Sequence, residues 1–271
     1  MKLSRRVSLN DKYLDNVDSR IVIQGIESQA GKETIGAVSY GARDGQRITN
    51  QKRDYLEIQV RFAIDIKQND LESRAVVLEN AIRWARGGGK LKVNYRPDRF
   101  VNVIMSQAPG EGDIRAWTNE YTITFRASAV PYWQDETWKE AGNVFSTVTN
   151  GKVTGNVAMD VPGNAVTYPI YQVTNISGMQ IDNVTVGIKS LRKIELQDIG
   201  LAANEHLIID HDENDFLRIR ILGTNAKYRS VMSCRTEKSD DDLQTGPGSK
   251  TFYVESTRAV YYVVQVRGRY L

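Results

Sequence analysis

The chain has 271 residues, of which 41% are hydrophobic, and its 36 basic and 33 acidic residues give a formal net charge of +3. This length suits two domains of ordinary size, and the apolar share is enough for a buried core in each, which excludes the disordered class. The near balance of charge gives no argument for a nucleic-acid partner.

Cys234 is the single cysteine, so an intrachain disulfide is excluded, and its strand-like surroundings predict a passive buried thiol. The charged N-terminus is followed by no apolar segment of signal-peptide type, and no window approaches the length that spans a membrane. We expect a soluble product without an export signal.

Residues 1–53 read as short strands joined by polar connections. Strands are predicted at 20–24 and 35–40, with a turn signal at Asp44-Gly45. We expect an irregular arm here, or more simply a poorly ordered terminus. From 55 to 66 apolar and polar residues alternate strictly, which predicts the clearest strand of the sequence.

One helix is marked by its boundary residues. Asn69 is the expected N-cap, with Glu72 reaching back to it, and Gly87-Gly88-Gly89 ends the helix through a left-handed residue. Charged side chains are expected in solvent at Glu72, Arg83 and Arg86. The apolar stripe that should pack on a sheet consists of Leu71, Ala75, Leu78, Ile82 and Ala85.

Three strand-like runs follow the helix. In the first, Leu91, Val93 and Tyr95 are expected on one face, and a turn is expected at 96–99 before the apolar run 100–105. The long strand 117–125 has two chemically distinct faces. One face carries Trp117, Tyr121, Ile123 and Phe125, and the other carries Thr118, Glu120, Thr122, Thr124 and Arg126.

This order predicts a first domain, 1–133, in which one helix crosses an antiparallel sheet, an α+β arrangement without a dinucleotide-binding motif. After Pro131-Tyr132-Trp133 the sequence becomes polar at 134–143, and we place the domain boundary there. The second domain, 134–271, should be a β-sandwich or jelly roll with 260–266 at its centre. Its predicted strands are 168–173, 184–191, 207–209, 216–221, 253–256 and 260–266.

Few residues suggest chemistry. His206 and His211 lack the spacing of a zinc-protease pair. Residues 210–215 have enough oxygens for calcium but lack the glycine and the final Glu of an EF-hand loop, so a solvated hairpin turn is the favoured alternative. Asp240-Asp241-Asp242 is expected in a mobile connection. Gly87-Gly88-Gly89 follows a helix, whereas a phosphate site needs glycines that lead into one.

No nucleophile elbow, P-loop or Cys-His pair is present, and nothing positive supports a glycosidase pair of carboxylates. We therefore predict a non-enzymatic protein with no catalytic residue, no cofactor-binding residue and no metal ligand. The aromatic residues Trp117, Tyr121, Trp133 and Trp138 could stack on a sugar or a base, but core packing and interface anchoring are commoner roles.

Several short motifs follow one another along the two domains. In the first domain the motifs are Trp84-Ala85-Arg86-Gly87, Tyr95-Arg96-Pro97-Asp98-Arg99-Phe100, and 117–125 leading to Pro131-Tyr132-Trp133. In the second domain they are Pro162-Gly163-Asn164-Ala165, Tyr168-Pro169-Ile170, Leu207-Ile208-Ile209-Asp210, Gly246-Pro247-Gly248-Ser249 and the terminal Val266-Arg267-Gly268-Arg269-Tyr270-Leu271. Together they resemble one known family, the distal tail proteins of long, non-contractile-tailed bacteriophages, at the siphophage tail-tip hub.

The resemblance implies a mainly β fold with one helix: an N-terminal sandwich-like α+β domain that forms a ring, and a C-terminal galectin-like β-sandwich that projects outward. It implies a homohexamer at the distal end of the phage tail, made in the host cytoplasm. The implied partners are the tail tube protein, a tail-associated hub or fibre protein and receptor-binding proteins, with DNA only as passing cargo and no membrane. The insertion 108–116 and the polar segment 133–161, read as a linker, depart from the family pattern.

The main alternative is a carbohydrate-binding accessory module that acts on host wall polysaccharide through the C-terminal sandwich. Galectin-like shape does not by itself confer sugar binding. In the ring hypothesis, the channel should be lined by the polar strand faces that carry Glu57, Gln59, Asp65 and Glu120. Arg61 and Arg126 would then be paired or turned toward neighbouring subunits.

Overall fold

The computed structural model describes residues 6–30, 33–39, 46–53, 55–66, 70–109, 120–213 and 215–271. The chain divides into two compact units, Met1–Trp133 and Gln134–Leu271. Within the described residues both units are built mainly of antiparallel strands and one α-helix is present, which confirms the predicted fold class.

The first unit contains a short 3₁₀-helix at Leu14–Asn16 and the α-helix α1 at Leu71–Arg86. Its strands are β1 (Val7–Leu9), β2 (Lys12–Tyr13), β3 (Ile21–Ala30), β4 (Glu33–Ser39), β5 (Gln46–Arg53), β6 (Leu56–Ile64), β7 (Gly89–Val93), β8 (Arg96–Gln107) and β9 (Glu120–Ala127). Strand β10 (Trp133–Asp135) lies at the boundary between the units.

Seven of these strands form one antiparallel sheet in the order β2-β1-β7-β8-β9-β6-β3. As predicted from its alternation, β6 buries every second side chain from Leu56 to Ile64, and β9 buries Tyr121, Ile123 and Phe125. Helix α1 packs across this face against β6 and β8. The Trp84 ring meets the Phe125 ring edge-on at 6.0 Å between centroids.

The helix differs from the prediction at its start and in its buried face. The N-cap is Asp70, whose side chain accepts a hydrogen bond from the Ser73 backbone N–H at 3.0 Å; Asn69 lies outside the described residues. Leu71, expected in the core, is 43% exposed. The buried face shares Leu78 and Ala85 with the prediction but is otherwise shifted by about one residue toward the N-terminus, with Arg74, Val77 and Ala81 buried. Glu72, Arg83 and Arg86 are exposed as predicted, and the left-handed residue at the helix end is Gly88.

The turn expected at 96–99 is also displaced. Strand β8 already begins at Arg96, and Asn94-Tyr95 form the hairpin turn, so Tyr95 is exposed rather than in the core. The register between β7 and β8 shifts between Leu91 and Val93. Pro97 lies in this irregular part of the ladder, where its missing N–H does not interrupt regular pairing.

The second unit is all β apart from a short 3₁₀-helix at Met232–Cys234. Its strands are β11 (Lys139–Phe145), β12 (Val148–Thr149), β13 (Lys152–Val161), β14 (Ile170–Asn175), β15 (Val184–Ile188), β16 (Arg192–Leu196), β17 (His206–His211), β18 (Leu217–Leu222), β19 (Tyr228–Ser230), β20 (Gly248–Ser256), β21 (Val260–Val266) and β22 (Arg269–Tyr270).

Two antiparallel sheets of the second unit enclose one hydrophobic core. The six-stranded sheet has the order β11-β21-β14-β17-β18-β19, and the five-stranded sheet has the order β12-β13-β20-β15-β16. The rings of Tyr171 in the first sheet and Phe252 in the second pack edge to face at 6.0 Å. This is the predicted sandwich. Strand β21, predicted to be central, lies between β11 and β14 and buries residues on both faces.

The segment 133–161 is not a linker. Strand β11 joins the six-stranded sheet beside β21, and β13 joins the five-stranded sheet beside β20. In β13 the side chains of Val153, Val157 and Met159 alternate into the core. This period of two was present in the sequence, but Gly155 interrupts the apolar series and weakens the signal.

Candidate functional site

The side of the first sheet opposite α1 is polar. We call the side chains of β3, β6 and β9 on this side the polar face. Strand pairing aligns them in rows that include Gln29-Glu57-Arg126, Glu27-Gln59-Thr124 and Gly25-Arg61-Thr122. Arg61 forms an ion pair with Glu27, and the Arg126 guanidinium lies 4.3 Å from the centroid of the Tyr55 ring. The face therefore carries both signs of charge, and these two arginines have partners within the unit.

An open sheet edge borders the polar face. Strand β3 is the last strand of its sheet and, within the described ranges, it pairs only with β6. The ten-residue β3 is followed by β4, which pairs with β5 in a separate two-stranded ribbon. In its described residues the N-terminal arm thus forms regular strands, whereas an irregular arm was predicted. The turn expected at Asp44-Gly45 lies outside the described residues. Unpaired backbone groups along an edge strand are ready to pair with another chain.

A cavity of about 960 Å³ adjoins this edge and is lined by residues such as Gln24, Glu27, Arg61 and Glu120. Val22 lies on the same strand and is 51% exposed. A second cavity, of about 550 Å³, lies along the outer side of α1 against Ala75, Ile82 and Pro109. Part of the predicted apolar stripe therefore lines this surface cavity instead of the sheet.

The acidic run 210–215 forms a hairpin turn between β17 and β18, the alternative favoured over calcium binding. Asp210 accepts hydrogen bonds from Arg218 and from Arg220 at 2.7–3.1 Å. The Asp215 carboxylate accepts hydrogen bonds from both terminal nitrogens of the Arg269 guanidinium, at 2.6 and 2.8 Å. The carboxylate oxygens of Asp210 and Asp215, which calcium would need as ligands, are therefore already hydrogen-bonded to arginines. Asn214 lies outside the described residues.

His211 does not join His206 in a site. The His211 ring packs on the Tyr168 ring at 4.4 Å between centroids, and the Arg269 guanidinium lies 5.0 Å from the Tyr168 centroid. The His206 ring instead forms a hydrogen bond between its Nδ1 and the Thr174 hydroxyl, with 2.8 Å between the two atoms. Burial lowers the pKa of His211, and this effect exceeds the opposing influence of nearby carboxylates, of which Asp215 is the first. The cluster fastens the C-terminal strand to the β17–β18 turn.

The loop 240–242, expected to be mobile, is anchored to β16. Asp240 Oδ2 accepts the Lys193 backbone N–H at 2.7 Å, and Asp242 forms an ion pair with Arg192. Cys234 also differs from the prediction: it lies in the 3₁₀-helix, not in a strand, and its thiol is only half-buried.

The candidate stacking aromatics are dispersed. Tyr121 and Trp133 are buried in the first unit, and Trp117 lies outside the described residues. Trp138 is 40% exposed, but the Arg267 guanidinium lies over its ring at 4.3 Å. On the outer face of the six-stranded sheet, Arg220 covers Tyr228 in the same way at 4.5 Å. Among these candidates, the rings in the described residues do not form a group of coplanar, uncovered platforms.

Among the described residues no cluster of three or more His, Cys, Asp or Glu side chains is arranged to hold a metal ion. Within the same ranges no helix has the length and apolar character needed to cross a bilayer. The described surface includes an open strand edge, a two-stranded ribbon, a face of mixed charge and two surface cavities.

Comparison with solved structures identifies the fold. The crystal structure of the SPP1 Dit protein, described as a paradigm of the hub adsorption apparatus in phages that infect Gram-positive bacteria, matches with a TM-score of 0.64 and 13% sequence identity. The match covers 97% of this chain and 98% of that one. This confirms, for the fold, the resemblance inferred from the motifs.

Two further structures match nearly as much of the chain. They are the phage P2 baseplate in its activated conformation with Ca and the same baseplate with Sr, with TM-scores of 0.46 and 0.45. Each is 9% identical and covers 96% of this chain and 97% of the other. No protein-family model matches the chain, and no curated protein matches it by sequence.

Proposed function

We propose that this protein is a structural component of a phage tail, a distal tail protein that forms a homohexameric ring between the tail tube and the tail-tip adsorption apparatus. The observation that carries the proposal is the likeness of fold to SPP1 Dit along nearly the full length of both chains. A match that includes both units supports an equivalent architecture better than a match to one sandwich would. The role is non-enzymatic.

The two units have separate roles in this proposal. Residues 1–133 form the ring, and residues 134–271 project outward toward a tail-associated hub or fibre protein and receptor-binding proteins. The open edge of β3 and the β4–β5 ribbon support the ring, because neighbouring copies can complete the pairing that each copy leaves open. Cyclic closure then leaves no edge exposed to further addition.

The mass of the native assembly tests the ring. Native mass spectrometry of the purified protein, alone and after co-expression with the tail tube protein of the same phage genome, should show a species of six times the 30.6 kDa chain mass. The hexamer should appear at least in the co-expressed sample, because a partner can complete contacts that are weak in isolation. A protein that stays monomeric in both samples, and binds neither tube nor hub protein, contradicts the proposal.

A matched pair of variants locates the contact. Val22→Lys places a charge on the open edge strand, whereas Val144→Lys makes the same change on β11 of the second unit at a residue of similar exposure, 53% against 51%. We expect Val22→Lys to raise the dissociation constant of the assembly at least about fivefold, which is the effect of losing the contact of one contributing interface residue. Val144→Lys should assemble as the unaltered protein does. Equal assembly by both variants would place the ring contact elsewhere.

A further inference from the structure

A groove crosses the outer face of the five-stranded sheet in the second unit. It consists of two adjoining cavities of about 450 and 410 Å³, and Lys193, Tyr253 and Glu255 line both of them. Each volume lies within the range of about 300–1,000 Å³ that small-molecule sites occupy. The groove therefore offers two neighbouring positions for ring-sized groups, one on each side of Tyr253.

The strand register aligns the side chains of the groove in two neighbouring rows. The rows are Asn156-Tyr253-Gly187-Lys193 and Thr154-Glu255-Thr185-Glu195. Residues paired directly across antiparallel strands point to the same face, and the alternate residues Phe252 and Val254 are buried in the sandwich core. The outward face is consequently polar, with the aromatic ring of Tyr253 near its middle.

Gly187 allows the Tyr253 ring to lie against the sheet. The two residues are direct cross-strand partners, and a Cβ at position 187 would lie 3.0 Å from Cε1 of Tyr253 and would overlap the Arg192 carbonyl oxygen. The ring therefore lies over the glycine and forms part of the groove floor. Burial, and then nearby carboxylates with Glu255 first, raise the pKa of the Tyr253 hydroxyl. It stays protonated at neutral pH and can donate a hydrogen bond.

Most charges in the groove are paired. Lys152 Nζ lies 2.6 Å from Glu255 Oε1, Lys193 Nζ lies 3.2 Å from Glu195 Oε2, and Arg192 pairs with Asp242. Lys189 and Lys238 also line the cavities and form no ion pair within the described residues. The lining therefore presents many hydrogen-bonding groups with a small excess of positive charge, which gives a polyanion only a weak counterion-release advantage.

We propose that this groove binds an uncharged saccharide chain, with one sugar ring stacked on Tyr253. A sugar has a face of C–H groups that an aromatic ring can cover and a rim of hydroxyls that need planar polar partners. Asn156 and Glu255 flank Tyr253 and supply such partners on one side, and Lys193 does so on the other. Neighbouring strands lie about 4.8 Å apart, which places the groups within one row at intervals comparable to one sugar unit.

A glycan array tests this binding with the full-length protein. The probes are neutral oligosaccharides of hexose and N-acetylhexosamine, each printed beside its phosphorylated or carboxylated counterpart. We expect neutral members to bind better than their charged counterparts. Calorimetry with the best neutral glycan should then show affinity at least about tenfold lower for Tyr253→Ala and nearly unchanged for Tyr253→Phe, which keeps the stacking ring.

Two further variants separate binding from folding. Asn156→Ala alters an exposed side chain, so the fold should persist while affinity falls. Tyr261→Ala removes a ring from the outer face of the other sheet and should leave affinity unchanged. The proposal is overturned if the unaltered protein binds no neutral glycan, if charged counterparts bind better, or if affinity survives in Asn156→Ala and Tyr253→Ala alike. None of these outcomes bears on ring formation, which the native mass reports.

Discussion

Two tyrosines, Tyr171 and Tyr262, lie fully inside the sandwich of the second unit, and their hydroxyls have no hydrogen-bond partner within the described residues. Burial raises the pKa of both hydroxyls well above the ordinary value for tyrosine. A buried polar group without a partner costs stability, whereas the ring that carries it contributes packing. The stabilising part of each residue is therefore its ring.

This predicts opposite outcomes for two substitutions at one position. Tyr171→Phe removes only the unpaired hydroxyl and should leave the free energy of unfolding unchanged or raise it by up to about 1 kcal/mol. Tyr171→Ala leaves a cavity between the sheets and should lower it by about 3–5 kcal/mol. Urea denaturation of both variants measures the difference. A large loss in Tyr171→Phe would show that the hydroxyl has a partner.

His211 predicts a pH dependence of stability at the same scale. Its pKa is lower in the folded protein than the ordinary value of 6.5, mainly through burial, with Asp215, Asp242, Asp210 and Arg269 as the charged groups around it. Below pH 6.5 the unfolded chain binds a proton that the folded chain resists. The contribution of His211 is therefore complete above pH 6.5 and is lost as the pH falls through the lower folded value.

Denaturant unfolding between pH 7.5 and 5.5 measures this effect. The midpoint should fall with decreasing pH, and His211→Phe, which keeps a ring against Tyr168, should fall less steeply. His206→Gln retains His211 and should keep the slope attributed to it. A slope that is identical in His211→Phe and in the unaltered protein would assign the pH dependence to other groups.

At the scale of elements, the motif Pro162-Gly163-Asn164-Ala165 has a structural explanation. The backbone N–H groups of Asn164 and Ala165 donate to the Arg269 carbonyl oxygen at 2.9 and 3.1 Å, and the Asn164 side chain accepts the Leu271 N–H at 2.9 Å. Gly163 has φ +104°, and a Cβ there would overlap the Arg269 backbone. The motif thus fixes the C-terminal strand β22 to the sandwich.

Gly163→Ala should therefore lower the free energy of unfolding by about 1–3 kcal/mol, because alanine is strained at this φ and collides with β22. Gly246→Ala is the matched control, since a Cβ at position 246 would meet no atom within 4 Å. It should stay within about 0.5 kcal/mol of the unaltered protein. Equal effects in chemical denaturation would mean that β22 rearranges without cost.

The elements that could be predicted were those whose local signal agreed with their tertiary surroundings. Strand β6 alternates without interruption, and β21 is almost continuously apolar, so each was found near its true bounds. The buried face of α1 was predicted in the wrong position because it includes Arg74, and a hydrophobic pattern does not count a charged residue as buried. Strand β11 is largely exposed and consequently carries no periodic signal at all.

The surfaces of interest were less predictable than the fold. The open edge of β3 follows from the order of strands in the sheet, which depends on contacts distant in sequence. The groove around Tyr253 depends likewise on the register that pairs it with Asn156 and Gly187. No local motif marks these positions. The one sequence signal was the alternation of Thr251, Tyr253 and Glu255 with apolar residues in β20, a pattern typical of any half-exposed strand.

For the whole molecule, the proposed ring makes a prediction about DNA. The polar face has carboxylates beside its arginines, and Arg61 and Arg126 already have partners. A channel lined by this face would therefore bind DNA phosphates only weakly. In a gel-shift assay at physiological salt the purified protein should bind double-stranded DNA no better than a neutral control protein. Tight, salt-sensitive DNA binding would exclude this face as the channel lining.

The most direct test of the central claim is the position of the protein in the particle that contains it. An electron-microscopy reconstruction of purified particles, with an antibody against this chain as the marker, determines that position. We expect a ring of six copies at the distal end of the tail tube, with residues 134–271 outward. Label on the capsid, label along the tube, or the absence of the chain from intact particles would contradict it.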